Sequence, residues 1–208
     1  MIAIIDYQMG NLRSVEKALH HLGHGARVTS DPIAIRAAER VILPGVGAFG
    51  AAMQRLGEGG LIDVLRETID RGKPFLGICV GLQVLFTVGE EMGTHAGLDV
   101  IPGRVVRFRW NGHAERAALK VPHMGWNELW PRSGFALWEG IEPGARFYFV
   151  HSYYAVPQHE SDIAATCTHG VEFCAAVGRG NVFATQCHPE KSGAPGLRLL
   201  DNFARWEP

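Results

Sequence analysis

The sequence has no CxxC pair, no run of Lys or Arg longer than two, no phosphate-binding P-loop, no internal repeat and no apolar stretch longer than a strand. Each absence excludes something. Twenty Lys and Arg against 21 Asp and Glu give a net charge of -1, and without a basic patch no nucleic-acid partner is expected. Strand-sized apolar stretches leave no membrane span. Four cysteines without paired spacing, Cys79, Cys167, Cys174 and Cys187, point to a reduced, cytosolic protein. Ten histidines are many, but most stand alone, and His20, His21 and His24 read as a helix end and its exit. No Cys/His set has metal-finger spacing, so no metal is expected. Met1 to Asp6 carries no basic leader and reads as a first strand, not a signal peptide.

What is present fits one globular domain with a full core: 208 residues, 47% hydrophobic and 20% charged. The first half alternates strand and helix. Ile2 to Asp6 predicts a strand. Leu12, Val15, Ala18, Leu19 and Leu22 predict a helix by their three- and four-residue spacing, stopped at Gly23 and Gly25. Ala26 to Thr29 and Val41 to Leu43 predict two more strands, with a short helix at Ile33 to Ala38 between them. Ala48 to Leu56 and Leu61 to Ile69 predict helices interrupted at Gly57 to Gly60. Pro74 to Ile78 predicts a buried strand, and Leu82 to Val88 a helix start. This order argues for a parallel sheet covered on both faces. After Gly89 the pattern changes. Gly97 to Gly103 reads as loop. Arg104 to Arg109, Arg146 to Val150, Ile163 to Cys167, Glu172 to Val177 and Val182 to Gln186 read as largely antiparallel strands. A helix from Gly196 to Trp206 closes the chain.

Two stretches carry chemistry. In Gly77-Ile78-Cys79-Val80-Gly81 a strand meets a helical segment, with glycines on either side of a cysteine. That pattern suits a sharp elbow, because glycines accept strained backbone angles and remove side chains that would crowd the bend; the elbow lifts one nucleophile above the sheet edge, toward the free N–H groups of a helix start. The alternative is a buried core cysteine. The second stretch is Gln186-Cys187-His188-Pro189-Glu190. His188 and Glu190 stand two apart in a segment that Pro189 keeps extended, so both side chains point the same way. The carboxylate then fixes the imidazole tautomer and leaves the other ring nitrogen as a base for a thiol. A surface hydrogen bond between the two is the plainer alternative. Together the stretches supply the parts of a Cys-His-Glu triad.

At this point a resemblance becomes specific. Gly77 to Gln83 together with His188-Pro189-Glu190 resembles the class I, triad-type glutamine amidotransferase family. Asp6 to Val15, Leu43 to Gly50, Pro122 to Asn127, Phe149 to Tyr153 and His188 to Ser192 resemble, in order along nearly the whole chain, the glutaminase-subunit family of imidazole glycerol phosphate synthases. One departure is Cys187, where the family usually carries an aromatic residue. The resemblance implies a single amidotransferase domain over residues 1–208. Its fold would be α/β, a flavodoxin-like, mostly parallel central sheet flanked by helices, with an antiparallel β extension in the second half. It implies glutamine hydrolysis with Cys79 as nucleophile, His188 as base and Glu190 as orienting carboxylate, and no cofactor. The N–H groups of Val80 and Val46 would hold the oxyanion, and Gly47, Gln83, Ser152 and Tyr153 would hold glutamine. Pro122, Met124, Trp126 and Lys191 would face a (β/α)8-barrel cyclase subunit in a heterodimer, through which ammonia passes. The alternatives are a triad glutaminase serving another synthase, a free-standing cysteine hydrolase, and a binding module that kept the fold without the activity.

Overall fold

The computed structural model describes residues 1–109 and 119–208. The prediction of a strand over Arg104 to Arg109 falls inside the first of these spans. Parallel strands β1 (Ile2–Ile5), β2 (Ala26–Thr29), β3 (Arg40–Gly45) and β4 (Phe75–Cys79) run in the order β2-β1-β3-β4. Between them come helices α1 (Leu12–His21), α2 (Pro32–Ala37), α3 (Phe49–Glu58) and α4 (Ile62–Asp70). Every residue of β1 and β4 is buried, as strands with both faces covered should be. Helix α1 buries Val15, Ala18 and Leu19, three of the five residues whose spacing announces it. Helix α2 has Pro32 in its first turn and the Asp31 carboxylate capping the Ile33 N–H at 2.9 Å, a pairing that ends an extended segment and starts a helix.

Beyond β4 the chain makes α5 (Val80–Gln83), β5 (Phe86–Gly89), β6 (His95–Ala96), β7 (Ile101–Arg107), β8 (His123–Pro131), β9 (Ala145–His151), β10 (Tyr153–Pro157), β11 (Ile163–His169), β12 (Val171–Arg179), β13 (Val182–Thr185) and α6 (Gly193–Arg205). The sheet continues from β4 through β13-β12-β10-β7-β5-β6. Strand β13 returns parallel to β4, whereas β12, β10 and β7 alternate in direction. A ribbon of β8 and β9 branches from β11. The mixed α/β sheet, parallel in its first half and largely antiparallel beyond, matches the expected class. Among the described residues no helix is long and apolar enough to cross a membrane.

The expectation of a helix start over Leu82 to Val88 is corrected. Helix α5 is a single turn, and the chain re-enters the sheet at Phe86. The carbonyls that a longer helix would use are taken by a crossing segment: Leu98 N–H donates to Val84 at 2.7 Å, and Val100 and Ile101 N–H both donate to Leu85. A methyl at Gly97 would lie 2.0 Å from the Phe86 carbonyl oxygen, so this crossing needs a glycine. Two boundaries also move. Helix α3 runs through Gly57 to Glu58, and β7 begins at Ile101 inside the expected Gly97–Gly103 loop.

Candidate active site

Three neighbouring strand ends build the site. Cys79 closes β4, and Gly45 at the end of β3 pairs with it directly. Strand β13 lies on the other side of β4, with Thr185 opposite Ile78. Gln186, Cys187 and His188 therefore emerge beside the cysteine. Cys79 itself adopts φ 56°, ψ -109°, a backbone state that costs a non-glycine residue about 1–3 kcal/mol. Of the two roles expected of the flanking glycines, one is kept. Gly77 and Gly81 do not supply the strained angle, which Cys79 carries; they supply room. A methyl at Gly81 would sit 1.8 Å from the Leu43 carbonyl oxygen, and one at Gly77 would sit 2.7 Å from the Gly81 carbonyl oxygen. The elbow is thus a place where three backbone segments touch, and Cys79 takes the strain.

His188 Nδ1 and Glu190 Oε1 lie 2.9 Å apart, with both side chains at most 2% exposed. This is no surface hydrogen bond, and the extended segment expected here is corrected: only His188 is extended, and Pro189–Lys191 then makes a 3-10 turn that swings Glu190 back to the ring. Asn11, at the start of α1, donates to the same Glu190 oxygen at 3.3 Å. Ser192 Oγ donates to the His188 carbonyl at 2.6 Å and accepts from the Tyr148 N–H at 3.0 Å, while His188 N–H donates to the Tyr148 carbonyl at 2.9 Å. These bonds stitch the His188 segment to β9. The remaining ring nitrogen, Nε2, is buried with no partner in full hydrogen-bond geometry, although the Cys79 thiol is close enough to influence its titration. Burial opposes a charge on His188, but Cys79 and Glu190 outweigh it and raise its pKa to about 10. A proton taken from the thiol is therefore held firmly on this ring.

A cavity of about 270 Å³ opens over the cysteine, lined among others by Val46, Gly47, Cys79, Val80, Gln83, Ser152, Tyr153 and His188. Every residue that the sequence nominates for triad, oxyanion or substrate contact lies on this wall, except Glu190, which stands behind His188. Pro122, nominated for docking, lines the same cavity. The other docking nominees lie apart from it. Met124 and Trp126 project from β8 with 64% and 48% of their surfaces exposed, and Trp130 continues the row at 49%. Lys191 Nζ stands 5.8 Å from the centre of the Tyr148 ring, which meets Trp126 edge-on.

Sequence reasoning missed three groups. Gln186 Nε2 donates to the Cys79 sulfur at 3.6 Å, and its Oε1 accepts from Gln83 Nε2 at 3.1 Å. The Tyr7 hydroxyl is buried without a partner at the spot where a methyl on Gly45 would fall, 2.5 Å away; burial and then Cys79 push its pKa up. Asn11 is the third. Among them only Asn11 left a signal, as the polar residue before a helix. The other three cysteines are buried in the core. Burial raises the thiol pKa of Cys167 and Cys174 to about 12 and that of Cys187 further still. Cys187 contacts Thr185 Oγ1 at 2.7 Å, in the role of inert packing. No group of three or more metal-binding side chains occurs among the described residues.

Next to the site, His123 and His151 face each other across β8 and β9. Burial first, and neighbouring imidazoles second, lower their pKa to about 4 and about 3. The sign follows from which state binds the proton. Between pH 6.5 and these values the unfolded chain protonates both rings and the folded chain neither, so stability rises with pH in that window. Both contributions are complete above pH 6.5 and shrink by about 1.4 kcal/mol per ring for each unit below it. The raised pKa of His188 acts the other way, removing about 1.4 kcal/mol between pH 6.5 and 7.5, so denaturant unfolding is expected to show stability about 3 kcal/mol lower at pH 5 than at pH 7.5. Equal stability at the two pH values would contradict this.

The model of the family described as glutamine amidotransferase class-I matches residues 3–206. Imidazole glycerol phosphate synthase subunit HisH of Syntrophotalea carbinolica is 53% identical over 203 residues, 98% of either chain. The protein of the same name from Geobacter sulfurreducens is 54% identical over 202 residues, 97% of either chain. Solved structures at lower identity share the fold. A glutamine amidotransferase superposes with TM-score 0.71 at 21% identity, covering 99% of this chain and 100% of that one. PurLQS from Thermotoga maritima superposes with TM-score 0.71 at 19% identity, covering 98% of this chain and 97% of that one. Matched from end to end by the family model and more than half identical to those relatives over nearly its whole length, the chain belongs to the class-I glutamine amidotransferase family and, within it, to the HisH subunits of imidazole glycerol phosphate synthase.

Proposed function

We propose that the chain hydrolyses glutamine and passes the ammonia to a cyclase subunit of (β/α)8-barrel fold. The cyclase would convert a phosphoribosyl precursor (PRFAR) to imidazole glycerol phosphate and AICAR in histidine biosynthesis. The observation that carries this reading is the cavity over Cys79, with His188 on its wall and Glu190 sealed behind the imidazole. Cys79 loses its proton to His188 Nε2 and attacks the side-chain amide carbon of glutamine. The tetrahedral oxyanion is met by the Val80 and Val46 N–H groups, each donor worth about 3 kcal/mol in the transition state. Its collapse breaks the C–N bond as His188 returns the proton to the leaving nitrogen, so ammonia departs and a γ-glutamyl thioester remains. Water, deprotonated by the same ring, adds to the thioester, and glutamate leaves with the thiol restored. Glu190 holds Nδ1 and balances the imidazolium in both halves.

Both N–H bonds of the Gln83 amide are used, one on the Tyr153 carbonyl and one on Gln186. Its oxygen is what remains for a ligand in the cavity, which suits the α-ammonium group of glutamine. Gly47 has φ 91°, and with Ser152 and Tyr153 it lines the remaining wall. Pro122, Met124, Trp126 and Lys191 form the surface that meets the cyclase, with Met124 and Trp126 as exposed anchors of the kind that carry interface energy. Containment in a complex suits the chemistry, because free ammonia at neutral pH is mostly protonated and unreactive.

Ammonia release by the purified chain tests the reading. Glycines on both sides of Val46 let its peptide turn at small cost, so its N–H can point away until the partner docks. Release is expected to be slow alone and to rise by on the order of a hundredfold or more with the cyclase and its nucleotide ligand, the effect of completing that one oxyanion donor. Full activity without a partner would point to an independent hydrolase, and none under either condition would remove the glutaminase assignment.

A further inference from the structure

Two histidines that take no part in the triad sit in a closed hydrogen-bond chain that ends on the nucleophile. The chain has one fixed point, the Tyr153 carbonyl oxygen, which can only accept. His151 Nδ1 lies 2.8 Å from it and must donate. His151 Nε2 is then the acceptor, so His123 Nδ1, 3.0 Å away, donates to it. His123 Nε2 in turn accepts from Asn127 Nδ2 at 3.1 Å, and Asn127 also donates to the Thr168 carbonyl at 2.8 Å. On the other side of the same carbonyl, Gln83 Nε2 donates at 3.1 Å and passes its second N–H to Gln186 Oε1, leaving Gln186 Nε2 for the Cys79 sulfur. One carbonyl therefore sets the orientation of two amides and two imidazoles without ambiguity.

The surroundings keep both rings neutral and in place. His123 stacks on Phe149 and on His169, with ring centres 4.9 and 4.3 Å apart. Phe173 lies 5.1 Å from His151. Both histidines are at most 6% exposed. In so dry a place a hydrogen-bond chain gains strength from each link, and a broken link leaves buried polar groups unpaired.

We propose that His123 and His151 are positioning residues for the thiol: neutral imidazoles, each held as the Nδ1–H tautomer, that brace the Tyr153 carbonyl and through it the Gln83–Gln186 pair facing Cys79. The proposal rests on the glutaminase reading for its effect on turnover. Gln186 supplies a hydrogen bond to the sulfur that strengthens when the thiol becomes thiolate, and its aim depends on Gln83, whose aim depends on Tyr153. The chain starts in β8, the strand that also carries Met124 and Trp126. The strand that carries the exposed apolar row thus also carries the far end of the hydrogen-bond chain that reaches the sulfur.

The test replaces His151 by Phe, which keeps a ring in the aromatic cage and removes both hydrogen bonds, and by Asn, whose amide N–H can stand where Nδ1–H stood. Measured in the complex with the cyclase, His151→Phe is expected to lower kcat for glutamine hydrolysis by on the order of tenfold to a hundredfold with KM changed less. Iodoacetamide labelling of Cys79, followed by mass spectrometry, is expected to slow in parallel. His151→Asn is expected to recover most of both losses, which a merely space-filling role would not produce. Long-range proton–nitrogen spectra of the wild-type chain are expected to show a pyrrole-type Nδ1 and a pyridine-type Nε2 for His123 and for His151. Wild-type kcat and labelling rate in a folded His151→Phe variant, or an Nε2–H tautomer at either ring, would overturn the proposal. Should His151→Phe not fold, His123→Phe breaks the same chain one link earlier and is read in the same way. Labelling and tautomers need no turnover. A wild-type chain that releases no ammonia would thus sink the glutaminase reading and leave this one to be decided by the thiol.

Discussion

Replacing Cys79 with alanine is expected to reduce ammonia release from glutamine by at least ~10⁴-fold, because losing the nucleophile of a triad removes the covalent path as a whole. The fold should survive. Alanine carries the same Cβ into the same strained φ of 56°, so no new clash or relief arises there, and the lost sulfur lines a cavity and gives up one long contact, the 3.6 Å hydrogen bond from Gln186. Thermal unfolding within a few degrees of wild type, alongside abolished release in the complex with the cyclase, is the combination that assigns the loss to chemistry. A Cys79→Ala chain that still released ammonia at a hundredth of the normal rate or more would mean that another group, or a water molecule activated by His188, attacks the amide.

The second large effect is expected for Glu190→Gln, a fall in kcat on the order of 10³-fold. Asn11 donates to the Glu190 oxygen that also accepts from His188. This arrangement holds the glutamine oxygen at that place, so the hydrogen bond and the tautomer are kept while the charge is lost. The same exchange in serine triads costs about 10⁴-fold when the tautomer is lost as well, which places the expected loss here below that figure. With the carboxylate gone, one cause that raises His188 disappears, and burial draws the imidazole pKa down from about 10. Nitrogen spectra of His188 across a pH titration, read beside kcat, separate the two contributions. Near-normal turnover with a lowered imidazole pKa would show that the charge on residue 190 is dispensable.

How far the sequence foretold this site depends on the distance over which each signal acts. The elbow was legible because glycine, cysteine and glycine stand within five residues, and the His188–Glu190 pair because an imidazole and a carboxylate stand two apart across a proline, although it is a 3-10 turn over Pro189–Lys191, and not an extended segment, that brings them together. The parallel core was legible from buried apolar runs such as Ile2 to Ile5. Which residue bears the strain was not. The glycines suggested strained angles as well as room at the bend, and they serve only the second, in close contacts with Leu43 and with each other, a matter of how three segments cross. Gln186 looked like an ordinary strand end, since its role arises only when β13 lies beside β4 and Gln83 meets it from α5. Leu82 to Val88 misled because a short apolar run fits helix and buried strand equally, and the choice was made by carbonyl partners some 14 residues away at Leu98 to Ile101. The exposed alternation on β8 became visible only once its partner strand was known, and with it the row of Met124, Trp126 and Trp130.

The parallel pairing of β4 with β13 has a consequence in time. Gln186 and Cys79 are separated by 107 residues, and His188 lies further still along the chain. A ribosome adds about 5–20 residues each second, so for roughly 5–20 s the growing chain owns its thiol and lacks its base. Contacts between such distant segments are also among the slowest to form in folding. The proposed nucleophile therefore lacks its proposed base until the last quarter of the chain is made, and recovery of glutamine hydrolysis after refolding would mark the closing of the sheet's centre.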